Sequence, residues 1–192
     1  MRTRSLHESE VVRLLAAMQW QNALAVRVSL ETGLRIGDVL KLMRTDLNGC
    51  VITYTASKTG KQGRVTVSET LARDLRANAN LTWLFPGRWQ KHPLTRQAVW
   101  KDMKRAASVL QRSEGVSPHS ARKSFAVRLM DETGSLDEVQ KALQHESAAV
   151  TELYAFADEA EPTVLSRAQC QEIAREIVER LSAVLGLTKA GA

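Results

Sequence analysis

The stretch Asn48–Ser68 reads NGCVITYTASKTGKQGRVTVS. Val51, Thr53 and Thr55 alternate with Ile52, Tyr54 and Ala56, and Arg64-Val65-Thr66-Val67 alternates again after a Gly-rich turn. Period-two alternation of β-branched and aromatic residues predicts two strands, so the segment reads as a β-hairpin. Lys58, Lys61 and Arg64 stand near its tip. The sequence on both sides has helical texture. This one hairpin therefore decides for a mainly helical α+β fold with a small antiparallel sheet.

Upstream, Ser5 and Glu8 stand in capping-box spacing before Val11–Met18 (VVRLLAAM), predicting a first helix capped at Ser5. A second helix over residues 21–32 puts Leu24 and Val28 on one face and stops at Gly33. The run LRIGDVLKLM, residues 34–43, predicts a third helix and leaves Arg35 near a helix junction. Taken alone, Arg35 reads as a surface ion-pair partner of Asp38 or Glu31.

Downstream, helices resume at SETLARDL (68–75) and, after the loop WLFPGRWQKHP (83–93), at LTRQAVWKDMKRAASVL (94–110). In the latter Val99, Met103, Ala106 and Leu110 form an apolar stripe of core type. SPHSARKSFAVRLM (117–130) opens on Ser117 as N-cap with Pro118 at the first helical position. His119 and Arg122 are three apart there and share one face. SLDEVQKALQH (135–145) repeats the capping spacing with Ser135 and Glu138 and closes on His145. SAAVTELYAF follows with Tyr154, Pro162 breaks the pattern, and a last helix over 165–185 lines up Ile173, Ile177, Leu181 and Val184.

The 192 residues are enough for one domain with an appendage. With 44% hydrophobic and 25% charged residues the composition is that of a globular protein. No apolar run has the length of a membrane span, and MRTRSLHESE lacks the apolar core of a signal peptide. Cys50 and Cys170 are too few for a disulfide framework and lack metal-ligand spacing, which suggests a reducing, cytoplasmic setting. A net charge of +6 favours an anionic partner, with nucleic acid first.

Arginines, histidines, a lysine and a tyrosine at element ends and turns suit phosphoryl transfer. Arginine presents a planar fork that matches two phosphate oxygens. Histidine can take a phenolic proton near neutral pH, and tyrosine can act as a covalent nucleophile. Each of these residues alone also has a structural reading, as cap, ion pair or packing group.

Their order resembles one family. ETGLRIGDVLKL resembles the first arginine box of the tyrosine recombinases, the phage-integrase family, with Arg35 as its arginine and Asp38 as its supporting acid. SKTGK between two strands resembles the lysine hairpin, PHSAR the H-x-x-R box, LQHES the L-G-H box and TELYAF the nucleophile segment. The separations 145 − 122 = 23 and 154 − 145 = 9 fit the family's usual spacing. The similarity runs from Leu6 to Ala157. Three departures stand out: Gln144 replaces a glycine, Lys123 stands where many members have a second histidine, and no room precedes Ser5 for a separate core-binding domain.

The resemblance implies a catalytic domain over residues 1–160 and a helical tail over 161–192 that docks on a neighbouring protomer; read from its apolar stripe alone, the tail helix could equally fold back on its own domain. It implies site-specific cutting and rejoining of double-stranded DNA through a 3′-phosphotyrosine, for integration, excision, inversion or resolution. Tyr154 would be the nucleophile, Arg35 and Arg122 the phosphate clamp and His119 the acceptor of the tyrosine proton. His145 would hydrogen-bond a phosphate oxygen, and Lys58 would protonate the leaving 5′-oxygen. Lys61, Arg64, Arg96 and Lys123 would contact DNA. No metal or nucleotide cofactor is implied, and the partners are DNA and further copies of the chain in a tetrameric synapse on the nucleoid. Two alternatives are a type IB topoisomerase and a catalytically silent DNA-binding regulator of the same fold.

Overall fold

The computed structural model describes residues 3–111 and 114–143, all within the first compact unit of the chain, Met1–Asp158. His145, Tyr154 with its SAAVTELYAF stretch, and the expected last helix over 165–185 lie outside the described residues, as does Gln144. Helices α1 (Glu8–Ala17), α2 (Trp20–Thr32) and α3 (Ile36–Val39) precede a three-stranded antiparallel sheet. Its strands β1 (Leu47–Asn48), β2 (Val51–Thr55) and β3 (Gln62–Thr66) are ordered as in the sequence. Helices α4 (Glu69–Asn78), α5 (Arg96–Val109), α6 (Pro118–Thr133) and α7 (Leu136–Leu143) follow.

Helix α2 is the centre of the domain and packs against α1, α3, α4, α5 and α6. Leu24, Ala25, Val26 and Val28 are all fully buried. A one-sided amphipathic reading therefore understates this helix, which is enclosed nearly all round. Two of its buried hydroxyls are satisfied locally. Ser29 Oγ donates to the Leu34 carbonyl at 2.7 Å and Thr32 Oγ1 to the Val28 carbonyl at 2.6 Å. Helix α5 presents Val99, Met103 and Ala106 to the core with no exposure. Removing such side chains from water contributes about 1.5–3 kcal/mol for each large one.

The start of α2 is held by a residue far away in the chain. Asp102 of α5 accepts from the Gln19 N–H and from Asn22 Nδ2, both at 2.8 Å, and pairs with Arg105 at 2.6 Å. A carboxylate at a helix N-terminus satisfies orphan N–H groups and complements the macrodipole. Burial works to raise the Asp102 pKa, but hydrogen bonds from Asn22, Arg105 and Gln19 outweigh it and hold the carboxyl below its ordinary value.

Two expectations are corrected. The first helix is capped at His7, whose N–H donates to Glu10 Oε2 at 3.2 Å, and the pair Ser5 and Glu8 does not form the cap. Arg4 grips both oxygens of Glu10 at 2.8 Å, which draws the carboxylate back over the helix start. The third helix is a single turn and does not run to Met43. Leu42 and Met43 leave it to pair with the 83–84 segment, where the Leu84 N–H donates to the Leu42 carbonyl at 3.0 Å. Ser117 caps α6 with Pro118 in its first turn, and Ser135 Oγ accepts from the Glu138 N–H at 3.4 Å, both as expected.

Candidate active site

A cleft of about 1210 Å³ opens between the α3 turn, the hairpin tip, the 92–100 segment and the start of α6. Arg35, Asp38, Lys41, Lys58, His92, Arg96, His119 and Arg122 line it. Seven of these eight are basic residues or histidines, and Asp38 is the single acid. Such a surface favours a polyanion.

Arg35 occupies the N-cap of α3, in extended backbone just past the left-handed Gly33. Gly33 has φ +70°, and a Cβ there would stand 2.5 Å from Phe125 Cδ1 and 3.1 Å from Leu143 Cδ2. Both the backbone and the packing therefore require glycine. The carboxylates expected to pair with Arg35 are engaged elsewhere. Asp38 Oδ1 accepts from the Ser57 N–H at 3.1 Å, and Glu31 accepts from the Ser68 N–H at 2.9 Å. Among the described residues Arg35, Lys58 and Arg96 make no side-chain hydrogen bond or salt bridge, so their donors remain for a ligand.

Arg122 is 3% exposed. Its Nη1 donates to the Gly33 carbonyl and its Nη2 to the Leu143 carbonyl, the latter at 2.6 Å. One guanidinium thus ties the turn before Arg35 to the end of α7, two residues before His145. The guanidinium is thereby fixed in orientation at the wall of the cleft.

His119 sits at the α6 N-terminus. Desolvation, then the charges of Arg122, Lys123, Arg35 and Arg96, push its pKa below the ordinary histidine value of 6.5. Because the residue is exposed, the four cations are the firmer cause. The ring is therefore neutral at neutral pH, with a nitrogen able to accept a proton.

Lys58 lies in the exposed hairpin turn, where Ala56 N–H donates to the Lys61 carbonyl at 2.9 Å and Gly60 adopts φ +69°. Ser57 beside it is gripped by Asp38 and, through Oγ, by Lys41 Nζ at 3.0 Å. Lys61 and Arg64 are exposed on the same hairpin, whereas Lys123 is 7% exposed on α6. Burial sets Lys123 apart from the other expected DNA contacts. The structure thus brings Arg35, Lys58, Arg96, His119 and Arg122 to one cleft.

Lys41, Ser57, His92 and Trp100 complete the cleft and were not expected from the sequence. Lys41 lies six residues past Arg35, a weak signal. Nothing local marks His92 or Trp100, because the 86–93 loop is shaped by pairing of Pro86 with Pro93 and by Gly87, whose Cβ would meet the His92 carbonyl at 2.8 Å.

The profile of the phage integrase family matches residues 4–161. The chain belongs to that family. It is 34% identical over 128 residues to a putative integrase/recombinase, y4qK, of Sinorhizobium fredii, covering 64% of this chain and 42% of that protein. It is 30% identical over 159 residues to the tyrosine recombinase XerC of Mesorhizobium japonicum, covering 76% of this chain and 51% of that one. The chain spans about half the length of these relatives. A crystal structure of the XerH site-specific recombinase bound to palindromic difH substrate, a post-cleavage complex, superposes with a TM-score of 0.67. It covers 93% of this chain and 54% of XerH, and at 23% identity it shows a shared fold.

Proposed function

We propose that this chain is the catalytic domain of a site-specific recombinase that breaks and rejoins double-stranded DNA through a 3′-phosphotyrosine. The observation that supports it best is the convergence of Arg35, Lys58, His119 and Arg122 on one cleft, from three separate elements: the α3 start, the hairpin turn and the first turns of α6. Tyr154 Oη attacks a backbone phosphorus and its proton passes to His119. The Tyr Oη–P bond forms as the P–O5′ bond breaks, and Lys58 Nζ supplies the proton that leaves with O5′. Arg35 and Arg122 hold the non-bridging oxygens as charge develops, and His145 donates to one of them. The second half reverses these steps with a different 5′-hydroxyl as nucleophile. The bond energy is kept in the phosphotyrosine, so the step calls for no nucleotide cofactor.

Lys61, Arg64 and Arg96 hold the flanking phosphates, while Lys123 acts from behind the wall through its charge on His119. Asp38 serves as support by fixing Ser57. The tail over 161–192 docks on a neighbouring copy within a tetrameric synapse on the nucleoid, and residues 1–160 form the catalytic domain. XerH in its complex with difH is the precedent for cleaved DNA on this fold.

The test is a suicide substrate trapped as an SDS-stable protein–DNA adduct. Tyr154→Phe should abolish the adduct while leaving DNA affinity within about twofold, since it removes one hydroxyl and little volume. An adduct from the Phe variant would refute the assignment. A site-dependent recombinant product separates a recombinase from a topoisomerase, and any adduct excludes a silent regulator.

A further inference from the structure

Tyr54 is the chain's other tyrosine, and the reaction above gives it no task. It lies on β2, four residues before Lys58, with its side chain turned inward and 7% exposed. Its cross-strand partner is Gly63. The ring lies directly over that glycine. A Cβ built on Gly63 would stand 2.7 Å from Tyr54 Oη, 2.8 Å from Cζ and 2.9 Å from Cε1. Gly63 is not among the glycines with positive φ, so its backbone would accept any residue. What requires glycine here is the tyrosine ring.

Glycine inside a strand weakens the ladder, and an aromatic ring laid across it restores the packing. The location of this pair matters. Beyond it lie one ladder pair, Thr55 with Gln62, and then the turn that carries Lys58. From the opposite side Asp38 and Lys41 grip Ser57. The tip is therefore held at two points, one polar and one aromatic. Burial raises the Tyr54 pKa while the charges of Arg122 and Arg35 work to lower it, so the hydroxyl lies within electrostatic reach of the cleft arginines.

We propose that Tyr54, seated on Gly63, is a positioning residue that aligns the Lys58 turn with the Arg35–Arg122 pair. It acts through Lys58 and does not touch the DNA. The inference rests on the phosphotyrosine reading, in which Lys58 protonates the leaving 5′-oxygen. A hairpin tip without the ring keeps its ladder but swings, and a general acid misplaced by about 1 Å loses on the order of a hundredfold in rate.

The test compares adduct formation by the full chain on an ordinary substrate and on one with a bridging 5′-sulfur, whose better leaving group needs no general acid. Tyr54→Leu and Gly63→Ala should each slow cleavage of the ordinary substrate about 10- to 100-fold, as Lys58→Ala does more severely. The sulfur substrate should bring both to within about threefold of wild type, which a merely loosened fold would not allow. Tyr54→Phe keeps the ring and should stay within about threefold on either substrate. Adding Gly63→Ala to Tyr54→Leu should cost nothing further, because the ring it collides with is gone. If Tyr54→Leu loses its helical circular dichroism, Gly63→Ala and Tyr54→Phe carry the same comparison. Sulfur rescue of Lys58→Ala but not of Gly63→Ala or Tyr54→Leu overturns the inference, as do wild-type rates for both variants on the ordinary substrate. Failure to rescue Lys58→Ala removes the general-acid role and the inference with it. Absence of any adduct from wild type removes the functional reading itself.

Discussion

His119 is a base kept neutral by its neighbours. Its pKa is lowered by desolvation and by the charges of Arg122, Lys123, Arg35 and Arg96. The acid limb of the cleavage pH profile should therefore lie below the ordinary histidine value. Arg96→Ala removes one of those charges from outside the phosphate clamp, so it should move that limb upward. An unmoved limb in single-turnover cleavage would assign it to another group. The sign for stability runs the same way. A histidine whose folded pKa is depressed costs nothing at high pH and begins to destabilise as pH falls through its unfolded value. Tyr54 is set in the opposite direction, since burial raises its pKa despite the positive charge of Arg122. A buried phenol seated on Gly63 is poorly placed to attack DNA.

At the scale of elements, two junctions fix the two ends of α2. The turn after α2 carries Arg35, and it exists because Gly33 can adopt φ +70° where Phe125 and Leu143 leave no room for a Cβ. Gly33→Ala should lower stability by at least about 2 kcal/mol, from left-handed strain together with the collision. Urea unfolding followed by circular dichroism measures this, and a loss under 0.5 kcal/mol would show that Phe125 simply moves aside. The other junction is the α2 start, where Asp102 gathers Gln19, Asn22 and Arg105. Asp102→Ala should cost about 2–4 kcal/mol by leaving buried donors unpaired. Because its folded pKa is depressed, the stability it contributes is present above the ordinary carboxylate range and is lost as pH falls through the folded value. Acid titration of wild type against Asp102→Asn should show that loss in wild type only.

For the whole molecule the net charge of +6 and the basic cleft act together. Binding to duplex DNA should weaken steeply with salt, with a log–log slope of about 0.9 per phosphate neutralised. Lys61→Ala and Arg64→Ala should each reduce that slope by about one and weaken all sequences alike, because exposed hairpin cations meet backbone and not base edges. A change confined to one DNA sequence would instead make the hairpin a reader of bases.

Much of this was legible in the residues themselves. Strand alternation over 51–56 and 64–67, the stop at Gly33, the Ser117–Pro118 start and the α5 stripe are local signals, and local backbone and burial preferences decide them. The cleft-lining residues Arg35, Lys58 and His119 stand at element ends that caps and turns announce, and Arg122 follows His119 by three positions along α6. Local signals do not specify which end faces which. The α3 turn ends early because the 83–84 segment takes over the backbone groups of Leu42 and Met43, a pairing between residues some forty positions apart. Asp38 fastens the hairpin and not Arg35, and Lys123 is buried although its sequence neighbours reach the cleft. Gly63 reads as an ordinary turn glycine until the ring of Tyr54 is seen on it. Periodicity and capping are carried by short-range hydrogen bonding and so survive in sequence. The partners of a carboxylate, the depth of a lysine and the room for a single Cβ are set by packing between distant segments, and only the tertiary structure decided them.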